Sequence, residues 1–205
     1  MKIDKSVIEY LNKALRHELT AVNQYWLHYR LLDNWGYKAL AKTWRKESIE
    51  EMQHADKLIE RIIFLDGSPN MQTLESLHIG KTVKAVLDRD LKAELSAHSL
   101  YAEAATHCHS VKDYTTRSLF ETLMHDGEAH IDFLETQIDL VTKIGPELYA
   151  QHHILYRIHG TNQPEYIGHA ISSGCIRMTN EDVIDLVNRV KPGAIVVVLA
   201  PGRSA

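Results

Sequence analysis

The sequence predicts an all-α four-helix bundle with one long crossover, followed by a short mixed α/β tail. Three observations carry this reading. Four stretches of about 27 to 33 residues repeat apolar side chains at helical steps. The connections between them run short, long, short. Composition then changes near residue 150: five of the ten glycines and three of the five prolines fall after residue 151. Net charge is +1 from residue 152 onward against −5 before it, so the chain divides into domains of 1–150 and 151–205.

The first helix is expected over Ser6 to Asn34, where Val7, Ile8, Leu11, Leu15, Val22, Tyr25 and Trp26 recur at helical spacing, and Gly36 ends it. The second runs from about Tyr37 to Leu65 and stops at Asp66-Gly67-Ser68-Pro69. Residues 67–81 lack a helical period and form the long connection. The third helix covers about Thr82 to Ser110. The fourth starts near Asp113, with Asp113 or Ser110 as its cap, and stops at Gly145-Pro146. Residues 146–151 look like the start of a further short helix.

The 205 residues are 44% hydrophobic and 24% charged, the balance of an ordinary soluble globular protein. A net charge of −4 gives no reason to expect nucleic acid or a membrane as partner. No apolar run approaches the ~20 residues of a membrane span. Met1 to Thr20 is polar and periodic, without the pattern of a signal peptide, so a cytoplasmic chain is expected. Two cysteines, Cys108 and Cys175, make no disulfide framework. Thirteen histidines are many, and their spacing points to metal.

Glu51-Met52-Gln53-His54 is a Glu-x-x-His step, which places carboxylate and imidazole on one helix face. Glu18 precedes this pair by 33 and 36 residues. Glu94, on the third helix, precedes His130 on the fourth by 36. The same half thus occurs twice, with one member absent the second time. Two helix pairs related by a pseudo-two-fold axis would bring Glu18, Glu51, His54, Glu94 and His130 to one level of the bundle interior. That is the arrangement of di-iron carboxylate bundles. Imidazole and carboxylate suit iron(II), and bridging carboxylates hold two irons close. Without metal, clustered buried carboxylates repel one another and take up protons. Tyr25, seven residues after Glu18, lies on nearly the same face as a supporting group.

The repeat also predicts a glutamate at position 127, where the sequence has Gly127. Glu128 is one step on, about 100° around the helix, and reaches the site only if the helix unwinds. Asp126, four residues before His130, is a shorter candidate substitute.

These residues carry a family resemblance. Residues 1 to about 150 resemble bacterioferritin, of the ferritin-like family, through Leu19-Thr20-Ala21-Val22-Asn23-Gln24-Tyr25, Glu50-Glu51-Met52-Gln53-His54-Ala55-Asp56 and His130-Ile131-Asp132-Phe133-Leu134-Glu135-Thr136. The resemblance implies a hollow 24-subunit homo-oligomer that oxidises iron(II) with dioxygen or peroxide and stores a ferric mineral. It implies that Glu18, Glu51, His54, Glu94 and His130 are ligands of a di-iron ferroxidase centre. Position 127 is where the family has a bridging glutamate, so ferroxidase activity is expected to be impaired. Co-assembly with an intact bacterioferritin subunit in a mixed shell would compensate. The family also binds haem b between two subunits through a methionine from each, and Met52 matches that position. A haem-bearing shell subunit without ferroxidase activity is the alternative.

The tail carries a second resemblance. Ile158-His159-Gly160-Thr161-Asn162 and Ser172-Ser173-Gly174-Cys175-Ile176-Arg177-Met178 resemble the C-terminal part of an L,D-transpeptidase catalytic domain. There Cys175 would attack a peptidoglycan stem peptide, His159 would activate it and Arg177 would place the substrate. Ser173 stands where that motif commonly has a histidine. Asn180-Glu181-Asp182-Val183 reads as a helix start and Ala194 to Leu199 as a buried strand. Well under half of that domain is present, and its substrate class lies outside the cytoplasm. The tail is therefore expected to be an inactive fusion remnant, with L,D-transpeptidase activity as the remaining alternative.

Overall fold

In a computed structural model, residues 4–153, 158–161, 167 and 176–190 are described. Four long helices are formed: α1 (Lys5–Asn34), α2 (Lys38–Phe64), α3 (Val83–Ser110) and α4 (Tyr114–His153). Two strands, β1 (Ile158–Thr161) and β2 (Ile176–Thr179), and α5 (Asn180–Arg189) follow. The chain divides into two compact units, Met1–Ile154 and Leu155–Ala205.

In the first unit α1 packs along α2 and α3 along α4, and the two hairpins meet chiefly through α1 and α3. The boundaries follow from capping chemistry. Asp4 caps α1 by accepting the Ser6 N–H at 3.0 Å, and Thr82 caps α3 by accepting the Ala85 N–H at 3.2 Å. Asp113 caps α4 through the Thr116 N–H at 3.0 Å, and Arg61 holds that carboxylate at 3.0 Å. A residue of positive φ follows each of the first three long helices, Gly36, Asp66 and Lys112, and Gly145 has one within α4. At Gly145, with φ 80° and ψ 156°, the α4 path breaks. Pro146 then starts a last short helical segment, where its fixed φ is an asset. Tyr149 on that segment is buried and donates a hydrogen bond to Gln137 at 2.7 Å.

The apolar core is split in two. One cluster takes Leu11 and Leu15 from α1, Leu58 and Ile62 from α2, and Phe120 and Leu123 from α4. The other takes Leu32 from α1, Trp44 from α2, Leu87 from α3 and Leu134 from α4. The break falls at one level in every helix: near Glu18 in α1, Glu51 and His54 in α2, Glu94 in α3, Gly127 and His130 in α4. A polar layer therefore interrupts the core at mid-height, at the cost of burying charge.

In the second unit β1 and β2 pair in parallel, with His159 opposite Arg177. Thr179 caps α5 by accepting the Asp182 N–H at 3.1 Å, as the helix start read at Asn180 requires. Cys175 and residues 194–199 lie outside the described residues, and of His159 and Arg177 only the strand placement is described.

Candidate metal centre

Five side chains from four helices converge in the polar layer. Glu18, Glu51, His54 and Glu94 are each no more than 7% exposed. Ligand-capable atoms of Glu18, Glu51 and His54 lie within 4.8 Å of one another, and so do those of Glu51, Glu94 and His130. Glu51 belongs to both triads. Its Oε2 stands 3.1 Å from His54 Nδ1, and its Oε1 stands 3.3 Å from His130 Nδ1. One carboxylate thus faces both halves, which is the geometry of a bridging group.

The layer obeys one internal symmetry. Glu18 and Glu94, and likewise His54 and His130, are 76 positions apart. So are Tyr25 and Tyr101, and their hydroxyls cross over: Tyr25 donates to Glu94 and Tyr101 to Glu18. Tyr25 is expected from its spacing. Tyr101 is not among the expected residues, although it follows Glu94 by seven positions as Tyr25 follows Glu18.

The symmetry mate of Glu51 is Gly127. A Cβ built there would point at Glu94, with Oε2 at 3.7 Å, an ordinary contact distance. Position 127 therefore faces the centre, and the space beside it is a cavity of about 10 Å³, room for about one water. The helix runs unbroken through this position, its non-helical residue being Gly145, so Glu128 is not brought inward. Glu128 instead faces His98 at 3.5 Å and His125 at 3.7 Å on the surface. Asp126 lies 3.3 Å from His54, on the ring nitrogen remote from Glu51.

Burial and mutual repulsion set the proton affinities. Burial, then the Glu51 charge, pushes the Glu18 carboxyl well above its usual range, and burial raises Glu51 too. Burial alone would lower His130, but contacts with Glu47, Glu51 and Glu94 raise it. Tyr25 and Tyr101 are raised by burial and by the carboxylates they bond. Glu18 Oε2, Glu51 Oε1 and His130 Nδ1 are buried without a hydrogen bond. Such orphaned atoms, of which Glu51 Oε1 and His130 Nδ1 stand 3.3 Å apart, fit a donor set for cations. A second cavity of about 690 Å³, lined by His54, Asp126 and His130 among others, opens the layer outward between α2 and α4.

Met52 is 49% exposed while Glu51 beside it is buried, the step of about 100° between them turning one outward and the other to the interior of the bundle. Ile49, one turn earlier, is exposed as well. Among the described residues no helix is long and apolar enough to cross a membrane.

Comparison with known proteins agrees with this architecture. The ferritin-like domain model matches residues 8–144, and the L,D-transpeptidase catalytic domain model matches residues 144–198. A bacterioferritin of Brucella melitensis is 59% identical over 151 residues, covering 74% of this chain and 94% of the relative. One from Rhodobacter capsulatus is 52% identical over 150 residues, covering 73% and 93%. A solved Rhodobacter capsulatus bacterioferritin, described with a metal-free dinuclear site and a haem iron, superposes with a TM-score of 0.74 at 51% identity. It covers 75% of this chain and 96% of its own. The chain belongs, over its first 150 or so residues, to the bacterioferritins of the ferritin-like family.

Proposed function

We propose that the chain is an iron-storage subunit of the bacterioferritin type with a weakened ferroxidase centre. The observation that carries this is the pair of triads sharing Glu51. In this reading Glu18 and His54 hold one iron(II), Glu94 and His130 hold the other, and Glu51 spans both. Iron(II) supplies the electrons that reduce dioxygen or peroxide, and leaves as iron(III) for the mineral. The chain's own groups bind and orient. Tyr25 and Tyr101 fix the carboxylates they bond. Burial raises the proton affinity of Glu18 and Glu51, so cations compete with protons for these carboxylates. Gly127 removes the second bridging carboxylate, so the pair of irons is held less firmly.

The exposed Met52 supports haem b binding between two subunits, one methionine from each. Gly127 favours a second reading, a haem-bearing shell subunit that relies on intact partners for oxidation. A Soret band from the haem-supplemented assembly is expected, and its absence rules out the haem role. The tail, residues 151–205, is assigned no part in either reading.

Aerobic addition of iron(II), followed by size-exclusion chromatography with iron analysis, tests the proposal. Iron should co-elute with a multi-subunit assembly well above the ~2 per subunit that one dinuclear centre holds. A chain that retains no iron would overturn it.

A further inference from the structure

We propose that Asp126 is a positioning residue that keeps the proton of His54 on Nε2, so that Nδ1 turns its lone pair toward a metal; this rests on the metal-centre reading above. The sequence offers Asp126 as a shorter stand-in for the carboxylate absent at 127. The geometry assigns it another task. The two ring nitrogens of His54 face opposite ways. Nδ1 stands 3.1 Å from Glu51 Oε2 and 3.8 Å from Glu18 Oε1, inside the cluster. Nε2 stands 3.3 Å from Asp126 Oδ2. A replacement ligand has to reach the space that Gly127 faces, beside Glu94. Asp126 is on the other side of the imidazole, its side chain 41% exposed.

A metal-binding imidazole carries its proton on the remote nitrogen. A carboxylate there fixes the tautomer, orients the ring and raises its basicity. The other half of the centre is built the same way. His130 turns Nδ1 to Glu51 and Glu94, at 3.3 and 3.5 Å, and Nε2 to Glu47 and to Glu50, the latter at 3.7 Å. Positions 50 and 126 are 76 apart, as are His54 and His130. The pseudo-two-fold relation thus extends one layer beyond the ligands. The halves are unequal, however. His130 has two carboxylates at Nε2. Among the described residues His54 has Asp126 alone, and Lys57 Nζ, 3.9 Å from the same oxygen, competes for it.

The test is a titration of the metal-free full chain with cobalt(II), followed by its d–d absorption. The unmodified chain is expected to show a class of sites that His54→Ala abolishes. Asp126→Ala should weaken that class about 10- to 100-fold while leaving the absorption envelope at saturation unchanged. Asp126→Glu should restore affinity to within a few-fold of the unmodified chain. Asp126 stands at the surface, so both variants should keep the unmodified circular dichroism melt; Asp126→Asn provides an independent check on affinity. Unmodified affinity in Asp126→Ala overturns the inference and leaves the metal centre standing. An altered envelope at saturation overturns it in favour of direct coordination. Absence of the His54-dependent class from the unmodified chain overturns the metal-centre reading itself.

Discussion

Gly127 concentrates the physics of this chain in one residue. Glycine inside a helix costs about 1 kcal/mol relative to alanine, and the space its Cβ would enter is open, with Glu94 Oε2 at 3.7 Å. Gly127→Ala should therefore stabilise the metal-free chain by about 0.5–1 kcal/mol, read as a higher urea midpoint. Protonation makes a second prediction at this scale. Glu18 and Glu51 have folded-state proton affinities raised from the usual 4.5, so the folded chain binds more protons than the unfolded one. The stability they contribute is fully present below pH 4.5 and is lost as pH rises through the raised values. Urea midpoints of the metal-free chain measured from pH 5 to 8 should fall less steeply for Glu18→Gln than for the unmodified chain. Equal slopes would contradict the burial argument. Much of this layer is legible in sequence, because Glu-x-x-His spacing fixes which helix face a ligand shares. Tyr101 was missed, although its seven-residue step from Glu94, matching that of Tyr25 from Glu18, is a signal that points to it. The part played by Asp126 was not legible, because spacing says which face a side chain occupies but not which ring nitrogen meets it.

At the scale of elements, the long connection is held down by a buried polar network. Asp90, 1% exposed, accepts hydrogen bonds at 2.7 Å from Gln24 Nε2 and Trp44 Nε1, and a third contact comes from His28 Nδ1 at 2.7 Å. His28 Nε2 accepts the Gly80 N–H at 3.0 Å, which leaves the ring proton on Nδ1 to donate to Asp90. Gln24 Oε1 accepts the His78 N–H at 2.8 Å. Residues 78 and 80 of the crossover are thereby tied to α1, and α1 to α2 and α3. Asp90→Ala leaves three buried donors without their acceptor and should cost at least about 3 kcal/mol, measured by urea unfolding. A loss below about 1 kcal/mol would show that water replaces the carboxylate. The helix boundaries were readable because Asp4, Thr82 and Asp113 are cap residues at the starts, Gly36 follows α1 and Gly145 marks the break in α4. The network was not, since Gln24, His28, Trp44 and Asp90 come from three helices and share no motif.

The whole molecule joins two pieces with different compositions. The bundle carries a split core and a carboxylate–histidine layer, and residues 158–190 supply a parallel strand pair and α5. The composition break near residue 150 was visible in sequence because glycine, proline and net charge all change there. The proposed ferroxidase centre lacks the carboxylate that the 76-residue symmetry requires at position 127. Stopped-flow oxidation of iron(II) by the assembled chain, compared with Gly127→Glu, tests it most directly. A weakened centre oxidises slowly in the unmodified chain and gains about tenfold or more when the glutamate is restored, on the order of 1.4 kcal/mol or more off the barrier. Rapid oxidation of two irons per subunit by the unmodified chain, with no gain from Gly127→Glu, would contradict it.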